Sequence, residues 1–350
     1  MLVENGIITD VIASPDLIVP ADKQINLGGA YLAPGFIDTH IHGAGGFGAD
    51  GTEQDLLQMS EVLLKQGVIA FTPTLYPASI EEMAARLKKL SSVIGQEKGA
   101  KILGFHLEGP FLSPEKPGSM RPQDILPVNI DEAKKLYEAA NGKISAITAA
   151  PELPGIDKLA AFALEKNFIL QAGHTHATYE QMLKGADMGI THCTHLFNAM
   201  SCINHRAPGA AGAALTDSRF TVELIADGVH VHPAIVKMVL ILKGPYNLVI
   251  VSDSLTPTGL QKGKANGEDV HLDGGVFRTI ADGVIAGSSI TMQDGFKNLI
   301  KWGYPPEYAS MAASDNAAKL HGLDIGSIAK NSRAQFVVLD KDFNLQRVIF

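Results

Sequence analysis

What most restricts the fold of this chain is a rhythm. Eight apolar, strand-like runs recur along it: Phe36–His42, Val68–Leu75, Lys101–Glu108, Lys143–Ala150, Asn167–Gly173, Gly189–Phe197, Phe220–Asp227 and Asn247–Asp253. Between most of them lie segments whose apolar residues recur with helical period. Gln54–Gln66 is one. Ser79–Ile94 opens with Ser79 and Glu82 at capping-box spacing, and Thr178 with Gln181 repeats that device before Met182–Met188. Pro233–Leu242 and Ser289–Trp302 supply later helices. Parallel strands need crossover connections, so eight such units predict an α/β chain forming a closed (β/α)8 barrel of the TIM type; an open doubly wound sheet is the alternative. With 350 residues, 46% hydrophobic and 19% charged, the chain can bury a core of that size.

The ends lack this rhythm. Leu17–Val19 and Ile25–Leu27 are short β-like pieces with turns at Asn5-Gly6 and Gly28-Gly29, and Gln335–Leu339 and Arg347–Phe350 are again strand-like. We therefore expect residues 1–34 and 322–350 to form a small flanking β-sandwich domain built from both termini, and residues 35–321 to form the barrel. Gly267–Gly287 is turn-rich and is expected to be a hairpin inserted after the eighth strand.

Charge and cysteine content narrow the setting. Twenty-nine Lys and Arg against 37 Asp and Glu give a formal charge of −8, which excludes a global basic field for nucleic acid or an anionic membrane. No run of about 18 apolar residues spans a bilayer. The N-terminal segment carries Glu4 and Asp10 and no basic stretch, so no secretory signal is expected. Cys193 and Cys202 alone make no disulfide framework, and a reducing, cytoplasmic compartment follows as the expectation.

Barrel chemistry sits where the strands end. Polar residues gather at those ends. The first strand closes on His40-Ile41-His42, and the period of two puts both imidazoles on one face. Glu108 ends the third strand, His174 the fifth, His195 the sixth and Asp253 the eighth, while the seventh runs into His230. Seven imidazoles or carboxylates then converge on one mouth, a donor set for a divalent cation. An isolated histidine is more often a surface or satisfied core residue; placement at six strand ends makes the joint case. His106 is expected to pack beneath the ligands, His176 to enter a helix, and His192 to face away from His195 in a structural role. Cys193 is read as a small barrel-filling residue. Gly43-Ala-Gly45-Gly46-Phe-Gly48 matches the dinucleotide pattern, but no acid follows about twenty residues on, where Val68-Ile-Ala-Phe-Thr stands. Those glycines are expected to let the backbone pass close to the site beside His42.

Pro34-Gly-Phe-Ile-Asp-Thr-His-Ile-His42 resembles the first-strand motif of the amidohydrolase superfamily. Within it the chain resembles the N-acetylglucosamine-6-phosphate deacetylase family, through His106-Leu-Glu-Gly-Pro-Phe111, Gly173-His174 with Ala177-Thr178, Thr194-His-Leu-Phe-Asn-Ala-Met200, and Ala226-Asp-Gly-Val-His230 followed by Ser252-Asp253. The likeness covers essentially the whole chain. It implies hydrolysis of an acetamide on a 6-phosphorylated N-acetylhexosamine, in amino-sugar catabolism, by a cytoplasmic homodimer. It implies that Glu108, His174 and His195 hold the principal metal and that His40 and His42 are able to seat a second. Zinc, iron, manganese and cobalt all suit these donors, at one or two ions per subunit. On this reading Asp253 shuttles the proton, His230 meets the carbonyl oxygen, and Asn198, Ala199 and Arg206 bind the phosphate, with Arg206 reaching into a neighbouring subunit. Lys116 and Arg121, in the Pro- and Gly-rich segment Ser113–Pro122, belong to a lid or a solvated loop and stand outside the site.

Three rivals remain. A galacto-configured substrate differs by one inverted hydroxyl. A hydantoinase- or dihydroorotase-like enzyme would bridge two ions with a carboxylated lysine on a middle strand, where Lys143–Ala150 ends in alanines. A catalytically silent metal-binding protein would not need Asp253.

Overall fold

The computed structural model describes residues 1–12 and 21–349. Among them eight parallel strands form the barrel: β1 (Phe36–Ile41), β2 (Val68–Leu75), β3 (Phe105–Glu108), β4 (Ile144–Ala149), β5 (Ile169–Ala172), β6 (His192–Cys193), β7 (Thr221–Ile225) and β8 (Leu248–Val251). They pair in sequence order from β1 to β8. The seam between β8 and β1 is closed just beyond the strands, where Asp253 N–H donates to His40 O and His42 N–H to Ser254 O, both at 2.9 Å. The barrel expectation holds. Strands buried on both faces explain why the sequence reads as near-continuous apolar runs rather than as alternation.

The outer helices begin where their capping residues stand. Thr52, Thr178 and Thr291 each accept from the backbone of the third helical residue, whose side chain returns the bond, and Ser79 accepts from Glu82 N–H. Each such cap stabilises its helix by about 1 kcal/mol. The cap at Thr291 starts the last long helix at Met292, inside the Ser289–Trp302 span read from periodicity. A shorter helix, Asn316–Leu320, plugs the N-terminal end of the barrel: Asn316 Nδ2 donates to Leu248 O and Pro245 O, and Ser314 Oγ donates to Gly35 O at 2.5 Å. Ala317, Ala318 and Ile325 pack there on Ile37, Ile69, Ile225, Val249 and Val251. One end of the barrel is therefore sealed with hydrocarbon, and chemistry is left to the other.

Two strands depart from the sequence reading. The third breaks: Lys101–Ile102 pairs with β2, then Gly104 turns at φ +126° before β3 begins. A Cβ at Gly104 would lie 2.9 Å from Lys143 O, so no larger residue fits that approach. The sixth stops at Cys193 instead of running to Phe197, because His195, Phe197 and Ala199 take positive φ (24°, 76° and 47°) and wind the segment into turns.

Both chain ends contribute β structure. Leu2–Glu4 and Ile7–Asp10 form a hairpin around Asn5-Gly6, and Tyr31–Pro34 pairs with Phe336–Leu339, which pairs with Leu345–Ile349. Leu17–Val19 lies outside the described residues, and Ile25–Leu27 forms no strand. The expected hairpin after β8 is larger, a four-stranded antiparallel sheet of Lys262–Ala265, Glu268–Asp273, Val276–Thr279 and Ile285–Ser288. Ser288 N–H donates to Asp253 O at 2.9 Å and ties that sheet to the exit of β8. No helix among the described residues is long and apolar enough to cross a membrane.

Candidate metal centre

The strand ends aim their polar residues by leaving β geometry. His174, His195 and Asp253 each stand two residues past β5, β6 and β8, and each has positive φ (45°, 24° and 46°). Left-handed backbone at a non-glycine residue is uncommon and costs on the order of 1–3 kcal/mol, so it persists only where surrounding bonds hold it. Here Ser113 N–H donates to His174 O (2.9 Å), His195 N–H to Glu223 Oε2 (3.2 Å) and Asp253 N–H to His40 O (2.9 Å). His40 and His42 need no such kink, since strand alternation brings both to one side.

Glu108 is the hub. Its Oε1 lies 3.0 Å from His174 Nε2, 2.9 Å from His195 Nε2 and 3.5 Å from His40 Nε2; its Oε2 lies 3.0 Å from His42 Nε2. Asp253 Oδ1 faces His40 Nε2 at 3.5 Å and His42 Nε2 at 3.4 Å. Donor atoms of His40, Glu108 and His195 fall within 4.8 Å of one another, as do those of His40, His42 and Asp253. His40 Nε2 and Glu108 Oε2 are buried and make no hydrogen bond. Two sets of nitrogen and oxygen donors that share His40, with unpartnered atoms facing inward, fit one or two divalent cations.

The outer nitrogens are held from behind. His40 Nδ1 meets Glu223 Oε2 (3.1 Å), His42 Nδ1 meets Thr74 O (3.1 Å), His174 Nδ1 meets Lys116 O (3.2 Å) and His230 Nδ1 meets Asp227 Oδ2 (2.6 Å). A backbone carbonyl or carboxylate at Nδ1 requires that nitrogen to carry the proton, which turns Nε2 to the site in all four. Electrostatics follow from crowding. Burial opposes ionisation of Glu108 and Glu223, yet the surrounding imidazoles hold both carboxyls well below the usual range. Burial likewise opposes charge on His40, and Glu108, Glu223 and Asp253 together push its pKa well above the ordinary histidine value. Burial drives His106 far down and keeps it neutral, and raises Asp38 to about 7.

The remaining histidines fall as follows. His106 packs beneath His40, ring edge to face at 4.6 Å, bonded to Thr74, Thr148 and Gln171. His176 is exposed, three residues before the helix Tyr179–Asp187. His192 does not face away: its Nε2 lies 3.3 Å from Glu223 Oε1, while Cys193 packs into the main hydrophobic core. Counting by twos fails there because the kink at His195 resets the alternation. Gly43 behaves as read: a Cβ would meet Thr256 Cα at 2.5 Å, and its N–H donates to Ser254 O beside His42.

Above the cluster lies a cavity of about 150 Å³ whose lining includes Tyr76, Gly118, Ser119, Met120, Asn198, Ala199, His230, Asp253 and Ile285–Gly287. Segment Ser113–Pro122 thus covers one side, and Gly118 sits so close that a Cβ would lie 3.0 Å from His174 Cε1. Asn198 lines the cavity with its donors turned inward, its N–H to His195 O (3.0 Å) and its Nδ2 to His195 O and Leu196 O. The Ala199 N–H has no backbone or side-chain acceptor among the described residues. Arg206 is not brought to the cavity; it is exposed on the turn Asn204–Ala207, where its N–H donates to Asn204 Oδ1. No lysine lines the cavity among the described residues. Sequence reasoning missed Glu223, Asp227 and Tyr76. Glu223 was visible as a lone acid inside Thr-Val-Glu-Leu-Ile, and Asp227 as the acid three residues before His230. Tyr76, stacked on His42 with centroids 3.9 Å apart, carries no signal of its own.

A closed barrel with this donor set at its C-terminal mouth defines a metal-dependent hydrolase scaffold. The chain belongs to the amidohydrolase family, whose model matches residues 31–350. Within that family it is 33% identical over 347 residues to the N-acetylglucosamine-6-phosphate deacetylase of Bacillus subtilis (strain 168), covering 94% of this chain and 84% of that protein. It is 30% identical over 353 residues to the N-acetylgalactosamine-6-phosphate deacetylase of Escherichia coli O157:H7, covering 99% and 92%. An N-acetyl-D-glucosamine-6-phosphate deacetylase variant from Mycobacterium smegmatis, solved in complex with N-acetyl-D-glucosamine 6-phosphate, superposes with a TM-score of 0.89 at 34% identity, covering 95% of this chain and 88% of that one.

Proposed function

We propose that the chain hydrolyses N-acetylglucosamine 6-phosphate to glucosamine 6-phosphate and acetate. One observation carries the reading: Glu108 Oε1 gathers His174 and His195 at 3.0 and 2.9 Å at the floor of a cavity whose walls hold Asp253 and His230. Relatives of that activity align along nearly the whole chain.

Glu108, His174 and His195 would hold the principal divalent ion, and His40, His42 and Asp253 a second; zinc, iron, manganese and cobalt all suit them. Such an ion supplies Lewis acidity and makes water acidic enough to ionise near neutral pH. The chain supplies the proton traffic. Asp253 accepts the proton of the attacking water and returns it to the amide nitrogen, which leaves poorly unless protonated. His230, with Nδ1–H given to Asp227 and a second proton on Nε2, donates that Nε2–H to the carbonyl oxygen as negative charge develops there. Burial opposes charge on Asp227, but the His230 bond keeps its carboxyl below the usual range and therefore ionised. The Ala199 N–H is the free backbone donor for the phosphate, with Asn198 shaping its turn. Arg206 joins the phosphate as the arm of a second copy, which makes the working enzyme a homodimer. In this reading residues 35–321 are catalytic and 1–34 with 322–350 brace them, and two unpaired cysteines suit a cytoplasmic setting.

The Escherichia coli relative keeps a galacto-configured substrate as the second reading. Amine release across N-acetylated gluco- and galacto-hexosamines, each with and without a 6-phosphate, on metal-stripped and reloaded protein, separates the two. Metal-dependent turnover of the phosphorylated gluco sugar is expected; equal turnover without the phosphate, or none with the metal, refutes the proposal.

A further inference from the structure

Glu223 lies on β7 beneath the metal centre, fully buried, and takes no part in the chemistry above. Its carboxylate nevertheless bonds to four groups at and beneath the site. Oε2 accepts from His40 Nδ1–H at 3.1 Å and from the His195 backbone N–H at 3.2 Å. Oε1 faces His192 Nε2 at 3.3 Å and the Gln171 amide at 3.4 Å. Its backbone carbonyl accepts from Leu196 N–H at 2.9 Å. A carboxylate is costly inside a barrel unless its lone pairs are taken; here donors from β1, β5, β6 and the turn after β6 take them.

We propose that Glu223 is a positioning residue that sets two metal-ligating arms at once, the ring of His40 and the turn that carries His195. The proposal rests on the metal-binding reading. His40 Nε2 looks between two carboxylates, Glu108 and Asp253, each 3.5 Å away. Glu223, accepting at Nδ1, fixes the ring so that Nε2 is the nitrogen presented between those two carboxylates and to an ion held there. Among the described residues His195 has the smallest positive φ of the left-handed non-glycine positions, +24°, and from that turn its Nε2 stands 2.9 Å from Glu108 Oε1. Glu223 grips the turn twice, by Oε2 at His195 N–H and by its own carbonyl at Leu196 N–H. Loss of the carboxylate therefore loosens both ligand sets through the histidines they contain.

The test is Glu223→Gln, which keeps volume but removes the charge that both grips use and puts an NH2 against a donor, either His192 or the His40 and His195 pair. Wild type and E223Q are stripped and titrated with cobalt(II), reading affinity by chelator competition and ligand geometry by the visible spectrum. We expect a 10- to 100-fold weaker affinity in E223Q and an altered cobalt spectrum. A purely space-filling role would lower the melting temperature of the metal-free protein and leave both readouts unchanged. Affinity within threefold of wild type with the same spectrum overturns the proposal. A wild type that binds no cobalt overturns the metal reading itself, so the two failures are distinct. Should E223Q not fold, selectively 15N-histidine-labelled wild type loaded with zinc answers instead. A His40 ring protonated at Nδ1 is expected, and one protonated at Nε2 overturns it.

Discussion

Asp253→Asn removes the proposed proton carrier and leaves the backbone at that position undisturbed. Asn has the shape of Asp and tolerates the left-handed φ of +46° that this position requires. The backbone bonds that close the barrel here, Asp253 N–H to His40 O and Ser288 N–H to Asp253 O, do not involve the side chain. Two things are lost: a group able to take a proton, and a negative charge 3.5 and 3.4 Å from the Nε2 atoms of His40 and His42. General acid–base catalysis contributes about 10²- to 10⁴-fold, so kcat should fall by that factor, about 3–5 kcal/mol in the barrier. KM should stay within about threefold, because the phosphate contacts lie on other elements. Asp253→Ala makes a useful companion. It loses the same chemistry but puts a residue poorly suited to left-handed backbone at the seam, so its kcat should match that of D253N while its melting temperature falls further, by the equivalent of about 1–2 kcal/mol. The assay is the initial rate of acetate release at saturating sugar phosphate and saturating metal. If D253N keeps kcat within about threefold of wild type, Asp253 carries no proton. If D253N reaches full kcat once metal is raised above the level that saturates wild type, Asp253 is a ligand alone, and the shuttle belongs to another group.

The other expectations are simpler to check. Arg206→Ala should raise KM for the 6-phosphorylated sugar at least tenfold and leave kcat little changed; an unaltered KM removes Arg206 from the phosphate site. Asp38 is fully buried, with Oδ1 accepting from Ser252 N–H and Oδ2 unpartnered, and its pKa stands at about 7 against 3.8 unfolded. The folded form therefore binds the extra proton between those values, so Asp38 by itself costs no stability below about pH 4 and a growing amount as pH rises to 7. Asp38→Asn has no such proton to lose, and its advantage over wild type should grow across that window to on the order of 4 kcal/mol at pH 8, from the three-unit difference; chemical denaturation at pH 4.5 and pH 8 reads it, and an equal gap at both refutes it. A thiol reagent should titrate one cysteine in the native protein and two after denaturation, since Cys202 is exposed while burial pushes the Cys193 thiol up to about 12.

The barrel and its donor set were legible in the sequence for a shared reason: both are written in local pattern. A run such as Val68–Leu75 announces a strand buried on both faces, and His40-Ile41-His42 announces two side chains on one face. What escaped was non-local. Nothing in Gly189–Phe197 signals that His195 and Phe197, with Ala199 beyond, would curl back, since Phe and Ala rarely take left-handed backbone and a single His is too weak a signal. That error in the length of β6 is also why His192 seemed to point outward. The donors of Asn198 bond within their own turn, a closure that no local pattern announces. Glu223 was readable in principle, because an acid within an apolar strand must find partners inside the barrel; which histidines those are depends on pairings across four strands.

The kinked strand ends have a consequence for how this barrel tolerates change. Three of the residues proposed to act, His174, His195 and Asp253, occupy backbone that each would leave if its hydrogen bonds were removed, at a combined cost on the order of several kcal/mol. That cost is met by bonds that run between the strand ends, Ser113 to His174, Thr175 to Ala199, Glu223 to His195 and Asp253 to His40, and not by the helices outside. The opposite end of the barrel is filled with Ile, Val and Ala, and the left-handed residues before β4 and β5 are asparagines, Asn141 and Asn167, which tolerate that backbone. Volume-conserving changes in the helix layer or the N-terminal plug should therefore shift stability while leaving metal affinity nearly constant. Single changes to the small residues that let the mouth loops touch, Gly43 against Thr256 or Gly118 against His174, should instead cost metal affinity out of proportion to stability, because the atoms they displace are the ones that hold the ligands in place.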